Sequence, residues 1–145
     1  MVDESRTNIY DYLYGIIYDV VTKNVYRIRE PQELTKSDTE NGFVVIHVGN
    51  IVDESEFTGN AYGWVRCNIE AFVPMSKRGI VNKEKYKAFE DSINAVIDNA
   101  SQDASGTYHV QEGSVLSMDS DEMSTANNAY FTFIKSFIVN IDKNV

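Results

Sequence analysis

The densest group of chemically capable side chains lies in SMDSDEMSTANN, Ser117 to Asn128, where Asp119, Asp121 and Glu122 fall within four positions. Carboxylates this close supply hard oxygen ligands for a cation. A calcium loop, however, places its ligands at alternate positions around a central glycine, ends on a distal glutamate and sits between two helices. This stretch has no glycine, and its flanks read as strands. The stretch DESE, with Asp53, Glu54 and Glu56, fails the same test. Both are read as solvated acidic loops, and no metal or cofactor is expected. His47 and His109 each fall inside a strand-like run, away from any zinc spacing. Cys67 could serve a histidine-assisted nucleophile. It lies on the apolar face of its strand, however, where a thiol is more often an inert small hydrophobe. No glycine-rich loop opens a helix, so no phosphate cradle is read. Glu70 with Glu84 or Asp91 would make an acid–base pair only if the fold brought them together. Nothing in these residues calls for an enzyme.

The elements that position these groups belong to a chain of 145 residues, read as a single domain over 1–145. A hydrophobic fraction of 43% is enough for a core, and no apolar run is long enough to span a membrane. The polar, acidic start MVDESRTN is unlike a secretory leader, and a lone cysteine fits a reducing compartment. The net charge of −9, from 22 acidic and 13 basic residues, opposes tight or sequence-specific nucleic-acid binding. The nearest basic clusters, YRIR at Tyr26–Arg29 and SKRG at Ser76–Gly79, are small.

Ile9, Leu13, Ile16, Ile17 and Val20 recur at helical spacing, which predicts a helix from Asn8 to Thr22 capped by Thr7 or Asn8. VYRIREP reads as a short extended piece stopped by Pro31, and QELTKSDTENG as a polar loop. FVVIHVGNI and AYGWVRCNIEAFVP read as a long hairpin. In the second, Val65, Cys67, Ile69, Ala71 and Val73 face one way, and Trp64, Arg66, Asn68 and Glu70 the other. Tyr86, Phe89, Ile93, Val96 and Ile97 form the stripe of a second helix, from Asn82 to about Asn99. TYHVQEGSVL is a third strand interrupted at Gly113, and AYFTFIKSFIVNID the last. The order is α-β-β-α-β-β. This is an α+β fold with two helices on one face of a mainly antiparallel sheet of four or more strands.

The last strand is apolar on both sides: Phe131, Phe133, Phe137, Val139 and Ile141 oppose Tyr130, Ile134 and Ile138. The first strand is similar, with Val44, Ile46 and Val48 opposed to Phe43 and Val45. Two helices cover one face, so a loop of the chain or a neighbouring subunit must cover part of the other. Tyr10, Tyr14 and Tyr18, spaced by four, add a stripe to the first helix. Tyrosine, with its apolar body and polar tip, suits interfaces. Tyr10, Tyr14, Tyr18, Phe43 and Trp64 are therefore the candidate oligomer-interface residues, with tyrosines at a core margin as the alternative.

The sequence from the amphipathic first helix through VYRIREP, GFVVIHVGN, GWVRCNIEAFVP, NKEKYKAFEDSINAVIDN and AYFTFIKSFIVNID resembles the tail terminator, or tail-completion, proteins of tailed bacteriophages. The likeness runs from about Asn8 to Asp142, in length, element order and texture, and carries no catalytic motif. It implies a structural virion protein made in the host cytoplasm. Copies would form a homo-oligomeric ring at the neck or tail, next to connector or tail proteins, with DNA passing through the channel. An acidic wall would repel DNA and let it slide. Asp53, Glu54, Glu56, Asp119, Asp121 and Glu122 would then belong to contact or lumen loops, although the second acidic loop is not part of the likeness. The alternative is a small cytoplasmic α+β module binding a ligand between helices and sheet, or binding a protein. An enzyme of another type is a third reading.

Overall fold

Alternation from Val65 to Val73 places one strand at the middle of the sheet, and the rest of the architecture follows from what pairs with it. A computed structural model describes residues 2–18, 20–28, 33, 35–53, 62–75, 83–102, 106–119 and 130–142. In chain order the elements are α1 (Val2–Ile17), β1 (Val25–Arg27), α2 (Lys36–Asn41), β2 (Phe43–Val48), β3 (Val52–Asp53), β4 (Tyr62–Pro74), α3 (Lys83–Gln102), β5 (Tyr108–Val110), β6 (Leu116–Asp119) and β7 (Tyr130–Asp142). All seven strands join one mixed sheet of order β1-β2-β4-β7-β5, with β3 on β4 and β6 on β7. β1 runs parallel to β2, and the other pairings are antiparallel.

The expected α-β-β-α-β-β order, with two helices on a sheet of four or more strands, is therefore wrong. Each departure has a physical cause. β1 and β3 are three and two residues long, too short to show alternation. The third expected strand is broken by the turn at Gln111–Ser114, where Gly113 takes φ 78°. Its halves, β5 and β6, both pair with β7, with the register shifted across the break. β6 also runs on into what was read as loop, carrying Asp119 opposite Phe133.

The third helix, α2, falls in the supposed polar loop. It lacks an apolar stripe and is specified by its ends. Thr35 Oγ1 accepts the Asp38 N–H at 3.1 Å, and the Asp38 carboxylate accepts the Thr35 N–H at 2.9 Å, a reciprocal capping box. Gly42 closes the helix at φ 84°, its N–H donating to the Asp38 carbonyl at 2.9 Å. A side chain at Gly42 would strike the Phe72 carbonyl oxygen. α1 starts at Val2, so Thr7 and Asn8 lie inside it rather than capping it, and its end falls short of Thr22, where β-branched Val20, Val21 and Thr22 favour leaving the helix. It ends at Ile17, and Val20 lies beyond it, exposed.

α1 and α3 pack together on one face of the sheet. Ile9, Leu13 and Ile17 of α1 and Phe89, Ile93, Val96 and Ile97 of α3 meet Val44, Ile46, Val65, Cys67, Ile69, Val139 and Ile141 in the main core. The opposite face carries a second, smaller core of Phe43, Val45, Phe72 and Tyr130, with Tyr26 at its margin. Phe43 stacks on Phe72 at 4.4 Å and meets Tyr130 edge-on at 5.3 Å. Asp38 ties α2 to this cluster. Buried Asp38 accepts the Tyr26 hydroxyl on both carboxylate oxygens, at 2.9 and 2.7 Å, and its carbonyl accepts the Tyr130 hydroxyl at 3.1 Å. The chain thus covers one end of its own second face.

Candidate interaction surfaces

The rest of the second face has a different chemistry. Trp64, Arg66, Asn68 and Glu70 alternate outward along β4, between His47 on β2 and Ile134, Ser136, Ile138 and Asn140 on β7. His47 Nε2 lies 3.7 Å from Glu70 Oε1. Arg66 Nη1 donates to Ser136 Oγ at 3.0 Å, and Asn140 Nδ2 lies 3.4 Å from His109 Nε2. Arg66 is exposed, and Trp64, His47, Glu70, Ile134 and Ile138 are half-buried. Asn68 Oδ1 and Thr132 Oγ1 are enclosed with no hydrogen-bond partner. An amphipathic tryptophan, an arginine and half-covered isoleucines are residue types that interfaces favour.

Of the five proposed interface residues, Tyr10 and Phe43 are buried within the chain. The Tyr10 oxygen accepts the Val48 N–H at 3.1 Å, tying α1 to β2, and Phe43 lies in the second core. Tyr14 is half-buried and stacks on Tyr18 at 5.2 Å, and Tyr18 is 41% exposed. The Arg27 guanidinium lies 4.9 Å above the Tyr14 ring and pairs with Asp11 at 2.6 Å. Trp64 stands on the open face described above. The outer tyrosines and Trp64 therefore occupy separate surfaces. Asp53 is exposed at the end of β3, and Asp119 ends β6 on the far side of the sheet order. Glu54, Glu56, Asp121 and Glu122 lie outside the described residues.

The chemical candidates separate in the same way. Cys67 points into the main core while His47 lies on the opposite face, so the sheet stands between thiol and imidazole. Burial pushes the Cys67 thiol up to about 12, which keeps it protonated. Glu70 faces away from α3, where Glu84 and Asp91 are exposed, so no carboxylate pair forms. On the other face, burial and then the bond to Asp38 push the Tyr26 phenol up to about 12.

Sequence reading missed one polar cluster. Lys135, with its side chain 4% exposed, lies on the helix-facing side of β7. Its Nζ donates to Ser117 Oγ at 2.6 Å and to Glu90 Oε2 at 3.1 Å. A lysine against a serine hydroxyl is one form of nucleophile activation. Here Lys135 Nζ is shared, donating to the Glu90 carboxylate as well as to the Ser117 hydroxyl. The cluster joins α3, β6 and β7. Its signal was a lysine at the inward parity of the run Phe133, Lys135, Phe137.

Two clefts lie among the described residues. One of about 410 Å³ lies between α1 and α3, with Tyr12, Ile16, Val96 and Tyr108 among its lining. The other, of about 350 Å³, lies between α3 and the β5–β6 turn, with Ile97, Asp98, Glu112 and Val115 along it. Comparison with protein-family models and with curated proteins gives no match.

Proposed function

We propose that this chain is a structural subunit of a homo-oligomeric ring at the neck or tail end of a tailed phage particle, joining connector and tail while DNA passes through the channel. The observation that carries this reading is that exposed apolar side chains gather at opposite borders of one sheet. Tyr18 and Ile28, 41% and 63% exposed, lie with α1 and β1 at one border, and Val115 and Leu116, 38% and 56% exposed, with β5 and β6 at the other. A subunit of a closed ring contacts its two neighbours through two different surfaces. The net charge of −9 suits a channel wall along which DNA slides without sticking.

Negative-stain microscopy of the purified chain, with its mass measured in native buffer, tests the proposal. Rings of uniform diameter are expected, alone or on addition of isolated tails. A monomer that never joins a tail would overturn it. A second reading, a ligand-binding module, draws on the cleft between α1 and α3, whose volume falls in the range of small-molecule sites. A rise in melting temperature with small apolar compounds, without rings, would favour it.

A further inference from the structure

Whether or not the chain assembles into rings, we infer that the cleft between α1 and α3 binds a small, flat, uncharged aromatic molecule. Buried Val96 and Ala100 of α3 form its floor, and half-buried Tyr12, Ile16 and Tyr108 its walls. Tyr12 and Tyr108 bring two aromatic rings together there, 5.6 Å apart and tilted by 37°. Aromatic ligands gain from offset or edge contacts with such rings. Val20, 64% exposed, extends the apolar lining outward. Among the described residues that line the cleft none is charged, although 24% of the chain is, so no lining side chain can pair with an ionic group. Exposed Asn99 at the rim supplies an amide for one polar substituent. Apolar and aromatic walls with few polar groups, around a space of about 410 Å³, suit a small molecule.

A second observation concerns Gly15, which also lines this cleft. A glycine in a helix destabilises it relative to alanine. Elsewhere the chain shows why glycine is needed: a Cβ at Gly42, Gly49 or Gly63 would press on a backbone oxygen. Gly15 has no such reason. It lies in the last turn of α1 with helical backbone, and a Cβ there would meet nothing within 4 Å. Neither the backbone nor packing within the chain accounts for it. Its effect is to hold the cleft open beside Tyr12 and Ile16, where a larger side chain would take up the space a ligand needs.

The neutral dye N-phenylnaphthylamine, which fluoresces when removed from water, tests the site on the full chain. Saturable binding of one dye per chain is expected. The sulfonated analogue anilinonaphthalene sulfonate should bind about tenfold more weakly, since nothing in the lining pairs with its charge. Indole should displace the dye, and a straight-chain alcohol of similar size should not. Gly15→Leu should fill the cleft and weaken binding about tenfold without lowering the melting temperature. Val20→Asp, at an exposed position beyond α1, should weaken binding severalfold with the fold intact. Binding that never saturates, equal binding of the sulfonate, displacement by the alcohol alone, or full binding by both variants would overturn the inference. Native mass reads assembly separately. Rings without saturable dye binding would overturn this site and leave the ring reading standing, and a chain that binds dye but never assembles would do the reverse.

Discussion

Lys135 shows how one buried charge constrains its surroundings. Its ammonium has Glu90 and Ser117 as partners, and removing the carboxylate would leave a buried donor short of an acceptor. Glu90→Ala should destabilise the fold by about 1–3 kcal/mol, measured by urea denaturation. Glu90→Ala combined with Lys135→Met should recover much of that loss, since an apolar pair needs no partner. Two other residues set a pH dependence. The Tyr26 phenol rises from 10.0 to about 12, and the Cys67 thiol from 9.0 to about 12. Both hold their protons more tightly folded than unfolded. The stability they contribute is fully present below their unfolded values, and is lost as pH rises from 9 toward 12 for Cys67 and from 10 toward 12 for Tyr26. Urea midpoints should therefore fall across pH 9–12, and Tyr26→Phe should flatten the portion above pH 10. Lys135 went unread although the sequence carried a signal for it, a charge at an inward strand position, which requires a partner. That its partners are Glu90 and Ser117 was not legible, since they lie 45 and 18 positions away.

At the scale of elements, α2 is the most exposed to local substitution. Thr35→Ala removes half of the capping box and should cost about 1 kcal/mol. Gly42→Ala should cost more, because it combines a positive φ with a clash against the Phe72 carbonyl. Both should raise binding of an apolar dye in mild denaturant, as α2 lifts from Phe43, Phe72 and Tyr130. The long elements were legible: the stripe from Phe89 to Ile97 gave α3, and the alternation from Val65 to Val73 gave β4. What was not legible shares one property. α2 and β3 owe their existence to caps and to a neighbouring strand, and leave almost no periodic trace, whereas β1 falls within the short extended piece read in VYRIREP. The second face of the sheet calls for a cover, for which the two-sided strands favour a neighbouring subunit; at one end the chain's own α2 supplies it.

For the whole molecule, the tyrosine stripe divides. Tyr18→Asp, at an exposed position, should leave the melting temperature nearly unchanged and lower the assembled fraction. Tyr10→Phe should instead lower stability, by roughly 1 kcal/mol, because it leaves the Val48 N–H without its acceptor. Sequence periodicity could place the three tyrosines on one helix, but only the position of β1 and β2 decides which of them faces outward. The central position of β7 carries a consequence for how the protein is made. β4, β5 and β6 all pair with this last strand, and β4 does so along thirteen residues from Tyr62–Asp142 to Pro74–Tyr130. While the chain is still being synthesised, β4 waits with one edge bare and β5 and β6 have nothing to pair with. The sheet can close only after Asp142 has cleared the ribosome, so a ribosome that stalls before that point releases a chain with a bare apolar strand edge, a substrate for chaperones and proteases. Only chains that include β7 can complete this sheet.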